Sequence, residues 1–472
     1  MRIAILSAIC CIYTIGVNGQ DNAAFVGTWS GKLNVGVELS IVFHIRQTAT
    51  GDLSSTADSP DQASYGIKCD TTFLRNGELV IEMRALAASI SGKLTSDSTI
   101  SGTFKQGKEF PLTLTKGLFT PLRKRPQTPQ PPFSYKSEDI VYSNQNKSIQ
   151  YGATITIPQG KGPFPAILLI TGSGAQNRDE EVLGHRPFAV LADALTKNGI
   201  VVLRVDDRGI AKTTGQFAGA TTADFADDAE ASLDYLLSRS EVDKKRTGLL
   251  GHSEGGLIAP MVAVKRKEVN FLVLLAAPAV KNLDLMTEQN IALTISAGQS
   301  KEVANAYGTI YNHIVTAILN SPNDSMAARN AFDTLTGLLA TIPSEIVGQL
   351  GLNSTRTRET FINSLVEGLS NKWMRYFISI DAAPTLQQLN CKVLALNGNK
   401  DIQVVSASNI PAMRANLKLS KSKIYEVKEL PGLNHLFQHC SRCTLQEYGE
   451  IEETMSPEVL DIINNWINKN VK

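Results

Sequence analysis

Residues Thr247-Gly248-Leu249-Leu250-Gly251-His252-Ser253-Glu254-Gly255-Gly256 run directly into Leu257-Ile258-Ala259-Pro260-Met261-Val262-Ala263-Val264. A short apolar run meets a Gly-x-Ser-x-Gly core, and a helix-length apolar run follows. That order predicts a strand, a sharp turn and a helix, with Ser253 at the apex as an exposed nucleophile. The residue types suit the geometry. A serine held in a strained backbone needs neighbours without Cβ atoms, and Gly251 and Gly255 let strand and helix pack closely around it. Gly-x-Ser-x-Gly alone also arises as a plain glycine-rich turn, so the flanking runs and the partners of Ser253 carry the weight.

A nucleophilic serine needs a base, and the base needs an orienting acid. The chain has six histidines, His44, His185, His252, His313, His435 and His439. Where a serine sits on such an elbow, the acid and then the histidine follow it in the chain. His44 and His185 precede Ser253 by a long way, His252 is its neighbour and points elsewhere on the turn, and His313 falls in a helix-like stretch. His435 follows the strand-like Lys423-Ile424-Tyr425-Glu426-Val427 and the turn Pro431-Gly432-Leu433-Asn434; His439 is a bystander. Upstream, Lys392-Val393-Leu394-Ala395-Leu396 reads as a strand, and Asn397-Gly398-Asn399-Lys400-Asp401 as a turn ending in a carboxylate. The stretch between Asp401 and His435 has room for one helix and one strand. A turn or N-cap role is the alternative for Asp401.

The segment from about Ile167 to Trp466 resembles bacterial α/β-hydrolases of the esterase and dienelactone-hydrolase-like kind, and more distantly the prolyl-oligopeptidase-type serine peptidases. The resemblance rests on Leu168-Leu169-Ile170-Thr171-Gly172-Ser173-Gly174-Ala175-Gln176-Asn177-Arg178-Asp179, Arg204-Val205-Asp206-Asp207-Arg208-Gly209, the Gly-His-Ser-Glu-Gly-Gly elbow, Leu396 to Asp401, and Leu430-Pro431-Gly432-Leu433-Asn434-His435. It implies a triad of Ser253, Asp401 and His435. It also implies an oxyanion hole made by the Glu254 amide and a donor from the turn after an early strand, at Ser173 or Gly174. The expected fold is an α/β-hydrolase, a mostly parallel central sheet flanked by helices with a helical lid insertion, preceded by a small antiparallel β domain.

Neighbouring residues admit plainer readings. Asp206 and Asp207 point to opposite faces of a strand, so they are expected to tie down a loop through Arg178 or Arg208 rather than act as a pair. The Glu254 side chain is expected to anchor a loop arginine. After Phe271 to Ala276 the strand–helix rhythm stops, and residues 282 to about 383 read as helices, the cap or lid position of such enzymes. Trp373, Tyr376 and Phe377 near its end are candidate pocket residues, though an aromatic run there is more often core.

Composition sets outer limits. The chain has 472 residues, 43% apolar content and a net charge of +1, enough for two or three domains. With no long basic run, nucleic-acid binding has no electrostatic support. Met1-Arg2, the apolar Ile3 to Val17 and Val17-Asn18-Gly19 have the layout of a cleaved signal peptide over residues 1–19, which implies a secreted or periplasmic protein; no later stretch is long and apolar enough for a membrane span. A lipoprotein reading at Cys10 or Cys11 is weaker, since Ile9 stands where a small residue is expected. Outside the signal stand Cys69, Cys391, Cys440 and Cys443, which allow three disulfide pairings. A metal site would need a second ligand pair, and only His439 lies near. No metal or cofactor is expected.

Residues 20–120 alternate strand-like runs with Gly, Asn, Asp and Ser turns, as an antiparallel sandwich or barrel would. Residues 121–137 read as a proline-rich linker, and 138–472 as the catalytic domain. Trp29 could be a sugar-stacking platform or, more often, a core plug. The expected activity is hydrolysis of a small-molecule carboxylic ester with a short to medium acyl group, an acylated carbohydrate being one candidate. The rivals are a serine peptidase or an acyl thioesterase using the same triad and, in another class, a non-catalytic glycan-binding protein.

Overall fold

The computed structural model describes residues 22–34, 38–48, 50–60, 64–117 and 125–472. The expected signal peptide lies outside them. Two compact units divide the chain between Leu122 and Arg123.

The first unit is a meander of β1 (Gly27–Asn34), β2 (Glu38–Gln47), β3 (Leu53–Ser59), β4 (Ser64–Lys68), β5 (Thr71–Arg75), β6 (Glu78–Met83), β7 (Ala88–Ser96), β8 (Thr99–Gln106) and β9 (Lys108–Lys116). These form one antiparallel sheet in the order β4-β3-β2-β1-β9-β8-β7-β6-β5. Alternation along β3 and β7 places one face on a core of Phe25, Trp29, Phe43, Ile45, Leu79, Ile81 and Ile100. The sheet rolls until β3 meets β5, where Ser55 Oγ and Thr72 Oγ1 lie 2.7 Å apart. It is thus a rolled single sheet, not two packed sheets. Trp29 is fully buried and donates its Nε1–H to the Phe25 carbonyl at 2.7 Å, so it is a core residue and no sugar platform.

The second unit holds β10 (Lys136–Ser143), β11 (Gln150–Ile157), β12 (Phe164–Ile170), β13 (Val201–Val205), β14 (Val242–His252), β15 (Val269–Leu275), β16 (Lys392–Gly398) and β17 (Tyr425–Leu430). Their order is β10-β11-β13-β12-β14-β15-β16-β17. β11 runs antiparallel to β10 and β13, and all pairs from β13 to β17 are parallel. Helices are α1 (Pro187–Lys197), α2 (Thr222–Ser238), α3 (Gly255–Lys265), α4 (Asn282–Ser296), α5 (Lys301–Leu319), α6 (Asp324–Leu339), α7 (Ser344–Gln349), α8 (Thr355–Ser370), α9 (Lys372–Ser379), α10 (Ala382–Gln387), α11 (Ser406–Leu419), α12 (Leu445–Glu450) and α13 (Pro457–Asn470).

Central strands such as β12 are apolar on both faces because helices cover both. Ala166, Leu168 and Ile170 face a core shared with α2, α3 and α11; Ile167 and Leu169 face one shared with α1 and α13. This is the α/β-hydrolase fold, with the serine-bearing turn after the central strand β14. Between β15 and β16 the helices α4 to α10 form the insertion, with a core of their own around Ile310, Ile314, Leu335 and Ile362. The stretch expected to be a linker is anchored from Arg125 onward. The Arg125 guanidinium donates to the Leu183, Gly449 and Ile451 carbonyls, and Gln127 bonds the backbone at Thr454 and Met455.

Candidate active site

Parallel pairing brings the carboxyl ends of β12, β14, β15, β16 and β17 into one row, with Ile170 opposite Gly251, His252 opposite Leu275, Leu275 opposite Leu396, and Gly398 opposite Leu430. Ligands of open parallel sheets bind beyond such a row. Ser253, Asp401 and His435 each follow one of these strand ends.

Ser253 has φ 53°, a left-handed conformation that costs a non-glycine residue on the order of 1–3 kcal/mol. The turn is over-determined by its surroundings: the Ser253 amide donates to the Leu275 carbonyl at 2.9 Å, and α3 begins two residues later. The glycines are required by contact. A Cβ on Gly251 would lie 2.0 Å from the Gly255 carbonyl oxygen, and one on Gly255 would lie 2.2 Å from that of Ile170. Ser253 is partly exposed while Gly251, His252, Glu254 and Gly255 are buried.

His435 Nδ1 bonds Asp401 Oδ2 at 2.8 Å, and both side chains are buried. The other carboxylate oxygen accepts the amides of Gln403 and Val404 at 2.8 and 2.9 Å. Asp401 thus has both oxygens engaged. α11 and β17 fill the interval between acid and histidine. His439 is exposed and pairs with Glu453.

The turn from Thr171 to Gln176 faces the elbow, and a Cβ on Gly172 would lie 3.1 Å from Ser253 Cβ. The Gly172 amide donates to Glu180 Oε1 at 2.7 Å. Among the described residues no intramolecular acceptor takes the amides of Ser173, Gly174 or Glu254. Asp207 braces the turn, accepting from Thr171 Oγ1 and the Gln176 amide, both at 2.9 Å. Burial pushes its carboxyl up to about 8. Asp206 takes Arg178 at 2.6 Å, while Arg208 turns to Asp228 at 2.6 Å. The adjacent aspartates therefore hold loops.

The Glu254 side chain departs from expectation. Among the described residues no arginine reaches it; Thr222 Oγ1 donates at 2.7 Å and Trp373 Nε1 at 2.9 Å. Burial without a cation raises its pKa, against hydrogen bonds from Thr222, Trp373 and Ser173 that lower it. Trp373 thereby ties the α9 segment of the insertion to the elbow. The other two pocket candidates fall elsewhere: Phe377 is buried in the sheet core, where it stacks on Trp373, and Tyr376 is exposed. A cleft opens beside the elbow, lined by Gly172, Gly174, Asp207, Phe225, Glu254 and Ile258 among others.

Sequence reasoning passed over two residues. His252 Nδ1 lies 2.9 Å from Glu180 Oε1, and its Nε2 lies 3.1 Å from the carbonyl oxygen of His435. Burial opposes charge on His252, but the Glu180 carboxylate and the bonds to Glu180 and His435 outweigh it and raise its pKa. Glu180 carried no motif signal. The disulfide joins Cys440 to Cys443, and Cys69 and Cys391 are buried and free. Among the described residues one group could hold a cation, Cys440, Cys443 and Glu447, and the disulfide engages two of its three members.

Residues 185–306 match the family model described as serine aminopeptidase, S33. Esterase EstD of Thermotoga maritima is 31% identical over 158 residues, 34% of this chain and 36% of that protein, so the match spans about a third of the relative's length. Among solved structures, Est1E from Butyrivibrio proteoclasticus, seen with ferulic acid bound, is 16% identical over 70% of this chain and 99% of its own, at a TM-score of 0.41. The α/β-hydrolase GrgF from Penicillium sp. sh18 is 14% identical over 71% of this chain and 99% of its own, at 0.43.

Proposed function

We propose that the protein is an exported serine carboxylesterase acting on small-molecule carboxylic esters with short to medium acyl groups. The observation that carries this is the pairing of His435 with the doubly held Asp401, on the same edge of the sheet where Ser253 is presented in a left-handed turn. In this reading His435, oriented by Asp401, takes the Ser253 proton as the serine attacks the ester carbonyl. The amides of Glu254 and of the Ser173–Gly174 turn stabilise the oxyanion, a role worth roughly 3–4 kcal/mol per donor. Alcohol leaves with the proton from His435, and water then cleaves the acyl-enzyme by the same steps in reverse roles. The similarity to Esterase EstD supports ester substrates; an acylated carbohydrate is one candidate class. Export rests on the N-terminal sequence, and no helix among the described residues is long and apolar enough to cross a membrane.

A second reading, cleavage of peptide bonds by the same residues, is favoured by the description of the matched family. Fluorophosphonate labelling with mass-spectrometric mapping, run beside nitrophenyl ester and aminoacyl nitroanilide hydrolysis on wild type and Ser253→Ala, tests both. An adduct on Ser253 with ester turnover lost in the variant supports the esterase. Nitroanilide cleavage exceeding ester cleavage would favour the peptidase, and folded protein with neither adduct nor turnover would refute both.

A further inference from the structure

His252 sits between a carboxyl group and a backbone carbonyl oxygen. Its Nδ1 faces Glu180 Oε1 at 2.9 Å and its Nε2 faces the His435 carbonyl oxygen at 3.1 Å. A neutral imidazole has one N–H, so with that N–H on the carbonyl the Nδ1 contact needs a hydrogen from a second source, the ring or the carboxyl. The second hydrogen must lie between Nδ1 and the carboxyl. Glu180 Oε1 already accepts the Gly172 amide at 2.7 Å, which favours a carboxylate there, and imidazole is the stronger base of the two. Glu180 Oε2 is buried without a hydrogen-bond partner, so a proton placed on it would have no acceptor.

The contacts also span the site. His252 belongs to the elbow, the His435 carbonyl to the loop after β17, and the Gly172 amide to the turn after β12. The His252 and His435 rings lie 4.8 Å apart. The Glu180 and Asp401 carboxylates act on His252 electrostatically, and the His435 ring and the edge of the Phe437 ring lie beside it. Both carboxylates favour charge on it.

We propose that His252 is a buried imidazolium paired with Glu180, and that this pair is a positioning device clamping the base-bearing loop and the oxyanion turn onto the elbow. It rests on the esterase reading of the same site. Neither residue touches the reacting atoms; they fix where His435 and the Gly172 turn stand relative to Ser253. Because the pair raises the imidazole's value, His252 keeps its charge to higher pH than a free imidazole and loses it as pH rises through that raised value, so the clamp loosens on the alkaline side.

The test begins without substrate. In the full-length wild type, ¹⁵N-edited NMR of the histidine rings is expected to show both His252 nitrogens protonated at pH 7, with loss of one proton at lower pH in Glu180→Gln. A neutral His252 at pH 7, or a titration unmoved by Glu180→Gln, overturns the proposal. In turnover, His252→Gln keeps a donor toward the His435 carbonyl but carries no charge. It and Glu180→Gln are expected to lower kcat roughly ten- to a hundredfold with KM little changed, the scale of loss for small misplacement of reacting groups. The alkaline limb of the kcat profile should vanish in His252→Gln and move to lower pH in Glu180→Gln; an identical limb in all three proteins refutes a positioning role. If Ser253→Ala kept full turnover, the esterase reading would fail, whereas the ring-nitrogen measurement would still decide the state of His252.

Discussion

Replacing Asp401 by asparagine isolates what the carboxylate does for His435, because the surroundings dictate how the new amide must lie. Asp401 Oδ1 accepts two backbone amides, from Gln403 and Val404, and Oδ2 accepts from His435 Nδ1. An asparagine carries one acceptor and one donor end. Turning its NH₂ toward Gln403 and Val404 would strand the buried Val404 N–H, at about 1–3 kcal/mol, and the half-buried Gln403 N–H as well. Turning it toward His435 costs less, because a neutral imidazole can move its proton from Nδ1 to Nε2 and accept the new donor. The second arrangement wins, and with it Nε2 carries hydrogen and cannot take the Ser253 proton. The expected loss in kcat for Asp401→Asn is about 10⁴-fold, the size reported for a triad locked in the wrong tautomer, or ~5.5 kcal/mol of barrier. Thermal melting should change little, since shape and both backbone bonds survive. The assay is steady-state nitrophenyl acetate hydrolysis with fluorophosphonate labelling kinetics on folded variant. Turnover within about tenfold of wild type would show that Asp401 does not orient the base, and the proposed triad would be refuted.

The Asp207 carboxyl has its pKa raised to about 8 in the fold, so the stability it contributes is full below its ordinary range and is lost as pH rises through about 8. Asp207→Asn can still accept from the Gln176 amide and donate to Thr171 Oγ1, and denaturant titrations should find it more stable than wild type at pH 9 but not at pH 5. Trp373→Phe removes one donor from the buried Glu254 carboxyl and is expected to cost about 1–3 kcal/mol, read as a lowered denaturation midpoint; an unchanged midpoint would mean that the contact does not tie the insertion down. Cys440 and Cys443 close a loop only three residues apart in sequence, so replacing both by serine should cost no more than about 2 kcal/mol by chain entropy, and a larger loss in chemical denaturation would show that the bridge does more than close its own turn. Removing residues 1–122 should leave nitrophenyl ester turnover within a fewfold of the full chain, since the residues proposed for catalysis all lie in the second unit.

The parts legible in the sequence were those written in local pattern. The elbow needed only its glycines and flanking apolar runs, because Cβ exclusion and burial act on neighbours in the chain. The order Ser253, Asp401, His435 was readable because each residue follows its own strand, and parallel pairing then aligns the strand ends. The long helical insertion showed as a break in the strand–helix alternation. What the tertiary structure alone decided were contacts between residues far apart in sequence. Glu254 found Trp373 instead of an arginine; Phe377 went to the core and Tyr376 to the surface. His252, read from the sequence as a neighbour of the nucleophile that points elsewhere on the turn, met Glu180 and the His435 carbonyl. Local pattern specifies which face of an element is buried, but not which side chain arrives opposite it. A buried carboxyl or imidazole takes its proton and its role from those arrivals, and they exist only once the sheet has brought the loops together.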